Sequence, residues 1–141
     1  GMTTREEERG VVEFFRGQGR LDSLVLYSCT SAYPVGFEDI CLLEISRLRE
    51  AYEEEVKGIG FSGHHLGIAA DIAALTLGAR YVERHFTLDR TWKGTDHSAS
   101  LEPSGMRKLA RDLNNVSRAL TARPTELLQC ELAQRAKLKG V

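Results

Sequence analysis

The pattern of apolar and polar positions along the chain predicts three strand-helix units behind a leading helix. Thr3 followed three residues later by Glu6 predicts a capping box at the start of that helix, and Gly17 or Gly19 ends it. Three short apolar runs bounded by polar residues or glycines predict buried strands over 22–29, 56–61 and 79–86. Three stretches with apolar residues at helical spacing predict helices over 37–52, 67–77 and 103–120.

Strand and helix alternate strictly along the chain, which predicts an α/β fold with a parallel sheet and helices packed on it. In such sheets, the residues that bind ligands lie at the carboxyl ends of the strands. Chemistry is therefore expected in the segments that close the three predicted strands, at 29–33, 62–65 and 83–86.

Two histidines occupy matched positions at the ends of the second and third strands. Alternate residues of a strand point to the same side, so Ser62 shares a side with His64, and Glu83 shares a side with His85. Neighbouring parallel strands lie about 4.8 Å apart, so both imidazoles reach one ion if both sides face the same interior. Such a pair suits Mn, Fe, Co or Zn with open coordination positions. The alternative is two ordinary hydrogen-bonded histidines, and the residues alone leave both interpretations open.

Other polar residues near the strand ends have simpler interpretations. His65 has the opposite parity and His97 lies in a loop, so neither is expected to bind a metal. On sequence alone, Asp96 is most simply a carboxylate that caps a loop, and Cys29 a small buried hydrophobic residue.

Composition narrows the class of partner. The chain has 141 residues, 42% of them hydrophobic and 28% charged, as expected for a single folded domain over 1–141. Nineteen basic and twenty acidic residues give a net charge of -1, so we expect neither nucleic acid nor a membrane as partner. No apolar run approaches the roughly 18 residues of a membrane span. Three widely spaced cysteines favour a reducing, cytoplasmic location.

Four motifs resemble those of the N-acetylneuraminate (sialic acid) synthase family, in the same order. They are CTSAYP over 29–34, GFSGHH over 60–65, VERHFTLD over 82–89 and GTDHSASLEP over 94–103. The intervals of 21 residues from His64 to His85 and 11 from His85 to Asp96 agree with the family's two metal-binding histidines and its sugar-binding aspartate. The resemblance covers the chain from the leading helix to the helix over 103–120.

The resemblance implies the C-terminal part of a (β/α)8 TIM barrel. It also implies an enzyme that condenses phosphoenolpyruvate with an N-acyl hexosamine of the N-acetylmannosamine type, using a divalent ion, Mn or Mg, to form a nonulosonic acid. The implied residue roles are metal binding by His64 and His85, phosphoenolpyruvate contacts by Ser31 and Ser62, sugar contacts by Tyr33 and Asp96, and proton transfer or imidazole orientation by Glu83.

The chain departs from the family pattern in three respects. Gly63 replaces an aspartate of the family motif, which is expected to remove a carboxylate near the metal. A full barrel needs about 250 residues, and the resemblance implies that the first five strands, with the family's anion-binding lysines, are not among these 141 residues. The segment 121–141 is expected to lead towards an absent antifreeze-like domain.

These departures leave several interpretations open. The exposed edges of a partial barrel predict either a homo-oligomer or a partner chain that supplies the N-terminal half-barrel. Two copies would contribute six strands, fewer than the eight of the family barrel. The alternatives to an enzyme are a catalytically inactive remnant or interaction module, and a metal-binding regulatory domain.

Overall fold

In a computed structural model, which describes residues 1–140, three parallel strands form one sheet with helices between them. The strands are β1 (Val25–Cys29), β2 (Gly58–Gly63) and β3 (Tyr81–Arg84). The helices are α1 (Arg5–Gly17), α2 (Glu44–Tyr52), α3 (Ala69–Thr76), α4 (Pro103–Ala119) and α5 (Leu132–Lys139). This arrangement confirms the predicted α/β class with three parallel strand-helix units behind a helix.

The strands lie in chain order with regular register. Tyr27 of β1 pairs with Gly60 of β2, and Ser62 of β2 pairs with Glu83 of β3. Because all three strands run in one direction, their carboxyl ends meet at one edge of the sheet, where the chemistry was predicted. The structure therefore brings the ends of β1, β2 and β3 side by side.

Several predicted boundaries shift inward. Residues 21–23 form a 3-10 turn, so β1 begins only at Val25. Residues 37–39 form a second 3-10 turn, and Cys41 has a positive φ of 53° that a continuing helix cannot adopt. The helix predicted over 37–52 is therefore wrong in its first half, and α2 begins at Glu44.

The sheet has two different sides, here called the covered side and the open side. On the covered side, Ile59 and Phe61 of β2 are each 1% exposed and pack with α2 and α3 residues such as Ile45 and Ala74. Strand alternation directs Tyr27, Ser62 and Glu83 to the open side.

Glycine makes room for aromatic rings on the open side. A Cβ atom at Gly60 would lie within 3.0 Å of three ring atoms of Tyr27, and one at Gly58 would lie 2.9 Å from the ring of Tyr81. The rings of Tyr27 from β1 and Tyr81 from β3 therefore both lie over β2. Gly58 and Gly60 are therefore needed for close packing on the open side of β2.

The helix α1 begins one residue later than predicted. Its capping box joins Thr4 and Glu7, with the Glu7 amide donating to the Thr4 hydroxyl at 3.2 Å and the Thr4 amide donating to the Glu7 carboxylate at 2.7 Å. The predicted pair of Thr3 and Glu6 is therefore wrong by one position. α1 contacts α2 through Arg47, whose guanidinium donates to both carboxylate oxygens of Glu8 at 3.0 and 2.5 Å.

The C-terminal part of the described chain continues beyond the sheet. α4 packs against α3 with Leu109 buried, and α5 follows after a loop and contacts the turn formed by residues 129–131. All three cysteines carry free thiols. Within residues 1–140, no helix is both long and apolar enough to cross a membrane.

Candidate functional site

Two imidazole rings face each other at the carboxyl end of the sheet. His64 follows β2 directly and His85 follows β3, and their ring centroids lie 5.1 Å apart with planes inclined by 81°. His64 is buried, whereas the side chain of His85 is 32% exposed. The expectation that the two rings meet is therefore correct, and their role as metal ligands stays a prediction.

The orientation of His64 is fixed from the loop after β1. Its Nδ1 lies 2.8 Å from the backbone oxygen of Thr30, and because a carbonyl can only accept, Nδ1 carries the proton. The amide of Val35 donates to the carbonyl of His64 at 3.1 Å, which ties the same loop to the end of β2. In the neutral ring with its proton on Nδ1, the lone pair lies on Nε2, the atom that a metal would require.

The segment over 96–101, which returns to the end of β3, holds His85 by its backbone. The Leu101 amide donates to the carbonyl of His85 at 2.8 Å, and Phe86 forms a parallel bridge with Leu101. This contact brings Asp96 to the site, with Oδ2 3.5 Å from Nδ1 of His85. The hydroxyl of Ser100 donates to the carbonyl of Asp96 at 2.8 Å, which fixes the turn that carries the carboxylate.

A hydroxyl-carboxylate pair lies next to the histidines on the open side. The Ser62 hydroxyl donates to Glu83 Oε1 at 2.7 Å across the β2-β3 register. Burial raises the pKa of Tyr27 above its ordinary value, and the negative charge of Glu83 raises it further. The phenol of Tyr27 therefore stays protonated well into the alkaline range and can donate a hydrogen bond on this side.

The loop after β1 supplies an aromatic wall. The ring of Tyr33 lies 4.5 Å from that of His64 and 5.5 Å from that of His85, between centroids. Ser31 lies in the same loop, with its hydroxyl 3.8 Å from the sulfur of Cys29. Within the described chain, no hydrogen bond joins Ser31 to the other predicted site residues.

The donor set fits an open metal site and not a closed one. Among residues 1–140, no three histidine, cysteine, aspartate or glutamate side chains form a ready metal-binding group. If the two imidazoles held an ion, they would leave coordination positions open for water or substrate oxygen. A closed structural site within the described chain would need four such ligands.

The covered side also contains a buried charged cluster that the sequence pattern did not predict. Arg84 Nη1 donates to Asp71 Oδ2 at 2.6 Å, and His65 Nε2 lies 3.4 Å from the same oxygen. Two signals were available in the sequence. Asp71 interrupts an otherwise apolar helix, and Arg84 has the parity of the apolar side of β3.

The same cluster corrects the expectation about Gly63. A Cβ atom at this position would lie 3.0 Å from both Arg84 Cδ and His65 Cε1. A side chain here is directed into the covered side, because Gly63 alternates with the open-side residue Ser62. The glycine therefore removes no carboxylate from the side on which His64 meets His85.

Comparison with known proteins gives a consistent result. The model of the NeuB family matches residues 1–124. The N-acetylneuraminate-9-phosphate synthase of Homo sapiens is 50% identical over 110 residues, which are 78% of this chain and 30% of that enzyme. The N,N'-diacetyllegionaminic acid synthase of Legionella pneumophila is 32% identical over 99% of this chain and 39% of its own length.

A solved structure shows the same architecture. The N-acetylneuraminic acid (sialic acid) synthetase from Leptospira borgpetersenii, solved in complex with citrate, matches with a TM-score of 0.80 and 30% identity. The match covers 99% of this chain and 48% of that one. It confirms the prediction that the three strand-helix units are a part of a (β/α)8 barrel. The chain spans about a third of the length of the curated relatives it matches.

Proposed function

The chain belongs to the NeuB family, and from this premise we propose that it forms one side of the active site of a nonulosonic acid synthase. The observation that carries the proposal is the pair of facing imidazoles of His64 and His85 at the carboxyl ends of β2 and β3. The Ser62-Glu83 pair and the carboxylate of Asp96 lie around them.

The proposed reaction joins phosphoenolpyruvate to the open-chain aldehyde of an N-acyl hexosamine. C3 of phosphoenolpyruvate bonds to the aldehyde carbon, whose oxygen takes up a proton. Water then adds to the cationic C2 and loses a proton. The C2-oxygen bond to phosphate then breaks, the C2 hydroxyl gives its proton to the departing phosphate, and the C2 ketone forms. The products are the nonulosonic acid and inorganic phosphate.

His64 and His85 would hold the divalent ion, Mn or Mg, with Nε2 of His64 as one ligand atom. When bound, such an ion supplies Lewis-acid polarisation of the aldehyde oxygen. The Thr30 carbonyl keeps the proton of His64 on Nδ1, so the ring can offer Nε2 without a change of tautomer.

The remaining side chains bind substrate and move protons. Glu83 accepts a hydrogen bond from Ser62, so the pair can take the proton that the added water loses. The carboxylate of Asp96 lies 3.5 Å from Nδ1 of His85, where it would orient the ring, and it is proposed to contact sugar hydroxyls. The ring of Tyr33 lies against both imidazoles and would shield one side of them from water. Ser31, in the loop after β1, is proposed to contact phosphoenolpyruvate together with Ser62.

We propose that a further polypeptide segment completes the site. The sheet has three strands, so the open side and the outer edges of β1 and β3 lack the wall that five further strands form in a (β/α)8 barrel. We propose that a partner chain or an oligomer supplies this wall and the cations that bind phosphate and carboxylate. The tail over 121–141, which continues past the family match at residue 124, is proposed to be a connecting segment.

The decisive experiment measures phosphate release from phosphoenolpyruvate with Mn2+ or Mg2+. N-acetylmannosamine and its 6-phosphate are compared as acceptors, and the 50% identity to a synthase named for a 9-phosphate product favours the phosphorylated sugar. The chain is assayed alone and in complex with a chain carrying the first five strands, and light scattering gives the mass of each species. We expect turnover only in the complex.

Two variants and a control make the result specific. Glu83→Gln is expected to lower kcat about 100-fold, because proton transfer is lost. Asp96→Asn is expected to raise KM for the sugar. Arg49→Met is the control, because Arg49 contacts the Leu77 carbonyl near the opposite end of the sheet. Full activity of Glu83→Gln would contradict the assignment of proton transfer.

The second candidate is a catalytically inactive module of the same fold, and the three-strand sheet is the observation that favours it. This candidate predicts a stable complex that binds Mn2+ through His64 and His85 and releases no phosphate with either sugar. The same assay therefore separates the two functions. A chain whose manganese affinity is unchanged by His64→Ala would contradict both.

A further inference from the structure

The buried charged cluster lies on the covered side of the sheet, behind the two facing histidines. The side chains of Arg84, Asp71 and His65 are 1%, 0% and 0% exposed. Arg84 Nη1 lies 2.6 Å from Asp71 Oδ2 and 3.3 Å from His65 Nε2. The proposed reaction uses none of these three groups.

The guanidinium of Arg84 also binds the backbone of two loops. Nη2 donates to the carbonyl of His65 at 2.7 Å, and Nη1 donates to the carbonyl of Gly67 at 2.8 Å, both in the loop after β2. A longer contact of 3.4 Å runs from Nη2 to the carbonyl of Ala99, in the segment that returns along β3. The planar fork of arginine suits such simultaneous contacts better than a lysine ammonium does.

Each of these contacts lies close in sequence to a proposed site residue. Arg84 itself precedes His85, and the carbonyl that accepts at 2.7 Å belongs to the residue after His64. The Ala99 amide donates to the carbonyl of Asp96 at 3.2 Å. One side chain therefore connects the three segments that carry His64, His85 and Asp96.

Stability alone is a poor explanation for this cluster. Burying charges costs desolvation energy, and replacing a buried ion pair by apolar residues is often neutral or stabilising. Three buried polar atoms of the cluster have no hydrogen-bond partner within residues 1–140: His65 Nδ1, Asp71 Oδ1 and Arg84 Nε. Unpaired polar atoms in a buried network cost further free energy, so a gain in stability does not explain the cluster.

We propose that Arg84 is a positioning residue of the site, which acts with Asp71 to fix the two histidines relative to each other. The inference rests on the proposed function for what the two histidines bind. Asp71 holds the guanidinium through its 2.6 Å ion pair, and the guanidinium holds the loop after β2 against the end of β3.

The first test observes the rings without metal. Long-range proton-nitrogen NMR of the full chain is expected to show His64 protonated only at Nδ1, because the Thr30 carbonyl accepts there. In Arg84→Met we expect mixed tautomers or broadened signals for His64 and His85, with Arg84→Lys between the two. Arg49→Met is the control, because it removes a similar carbonyl and carboxylate contact near the other end of the sheet.

The second test measures Mn2+ affinity by the electron paramagnetic resonance signal of the free ion. Arg84→Met is expected to weaken binding by about 10-fold or more, the usual effect of losing a group that orients a ligand. Arg49→Met is expected to change it by less than about 2-fold. If Arg84→Met does not fold, Arg84→Lys and Asp71→Asn are compared in the same two measurements.

The outcomes separate this inference from the proposed function. Wild-type histidine spectra and wild-type Mn2+ affinity in the Arg84 variants would overturn the positioning role. A wild-type chain that binds no Mn2+ contradicts the proposed function, and the NMR spectra then decide the positioning role alone. Equal losses in Arg84→Met and Arg49→Met would show that general destabilisation is the cause and would also overturn it.

Discussion

The covered and open sides of the same three strands differ in how complete they are. On the covered side, Phe61 and Ile59 are 1% exposed, and even the charged Arg84 is paired and shielded from solvent. On the open side, Tyr27 is 39% exposed and Glu83 is also exposed. Elements of this chain bury the covered side, which holds the fold together. The open side, which carries the candidate chemistry, keeps exposed residues.

This difference follows from how a closed barrel is built. Its interior is filled by layers of side chains from several strands, so three strands can supply only part of each layer. The covered side needs only the helices that this chain itself provides, α2 and α3. Completion of the open side is therefore expected to change the site strongly and the covered core weakly.

The largest expected effect on stability comes from creating a cavity on the covered side. Phe61→Ala should lower the free energy of unfolding by about 3–5 kcal/mol, because a buried ring is replaced by a cavity. Tyr27→Ala on the open side should cost about 1 kcal/mol, since much of that ring already contacts solvent. Urea denaturation of both variants measures the contrast. Equal costs would break the distinction between the two sides.

The covered and open sides can also be compared by adding one methyl group at each of two glycines of β2. At Gly63 the new Cβ would lie within 3.0 Å of Phe61, Arg84 and His65, which are buried and cannot move aside. At Gly60 it would meet the Tyr27 ring, which can swing towards solvent. We expect Gly63→Ala to cost about 2–3 kcal/mol and Gly60→Ala about 1 kcal/mol.

A double variant tests why Gly60→Ala is expected to cost less stability than Gly63→Ala. In the background of Tyr27→Ala, the open-side ring is gone, so Gly60→Ala should cost little further stability. The same background should leave the cost of Gly63→Ala unchanged, because that methyl group faces the other side of the sheet. Coupling between Tyr27 and Gly63 as strong as that between Tyr27 and Gly60 would contradict the assigned directions.

The sequence predicted the open side better than the covered side. Strand parity alone was enough to bring Ser62 towards Glu83 and His64 towards His85, because alternation is a fixed property of strands. The cluster around Arg84 depends on a contact between the loop after β2 and the segment near Ala99. No local period encodes such a contact, so only the packed structure reveals it.

Boundary errors have an equally physical origin. The apolar residues after Phe37 fit a helix, yet the backbone at Cys41 adopts a positive φ and delays α2 to Glu44. Apolar spacing indicates which face is buried and carries no information on where the chain must turn to enter the helix. Ile40 is buried in the core although it lies in a turn and not in a helix.

The next effect in size depends on pH and lies where α1 meets α2. Hydrogen bonds from Arg47 lower the pKa of Glu8 below its ordinary value of 4.5, against an opposing contribution from burial. A lowered folded pKa stabilises the protein above the unfolded value. This contribution is lost as the pH falls from about 4.5 through the folded pKa.

Denaturation between pH 7 and pH 3 measures this contribution. We expect Glu8→Gln to remove about 1 kcal/mol of stability at pH 7, a figure limited by the partial exposure of both side chains. The variant should also lose less stability on acidification than the wild type does. Arg47→Met should flatten the profile in the same way. A profile unchanged by either substitution would contradict the assigned ion pair.

The smallest effect concerns the residue at which α1 begins. Thr4 accepts the Glu7 amide at 3.2 Å, whereas the Thr3 hydroxyl donates to the carbonyl of Gly1. Thr4→Ala should therefore lower the local stability of the first turn by about 0.5–1 kcal/mol, seen as faster amide exchange at Glu7. Thr3→Ala is the matched control and should leave that exchange unchanged. The opposite result would restore the capping box at Thr3 and Glu6 and move α1 back by one residue.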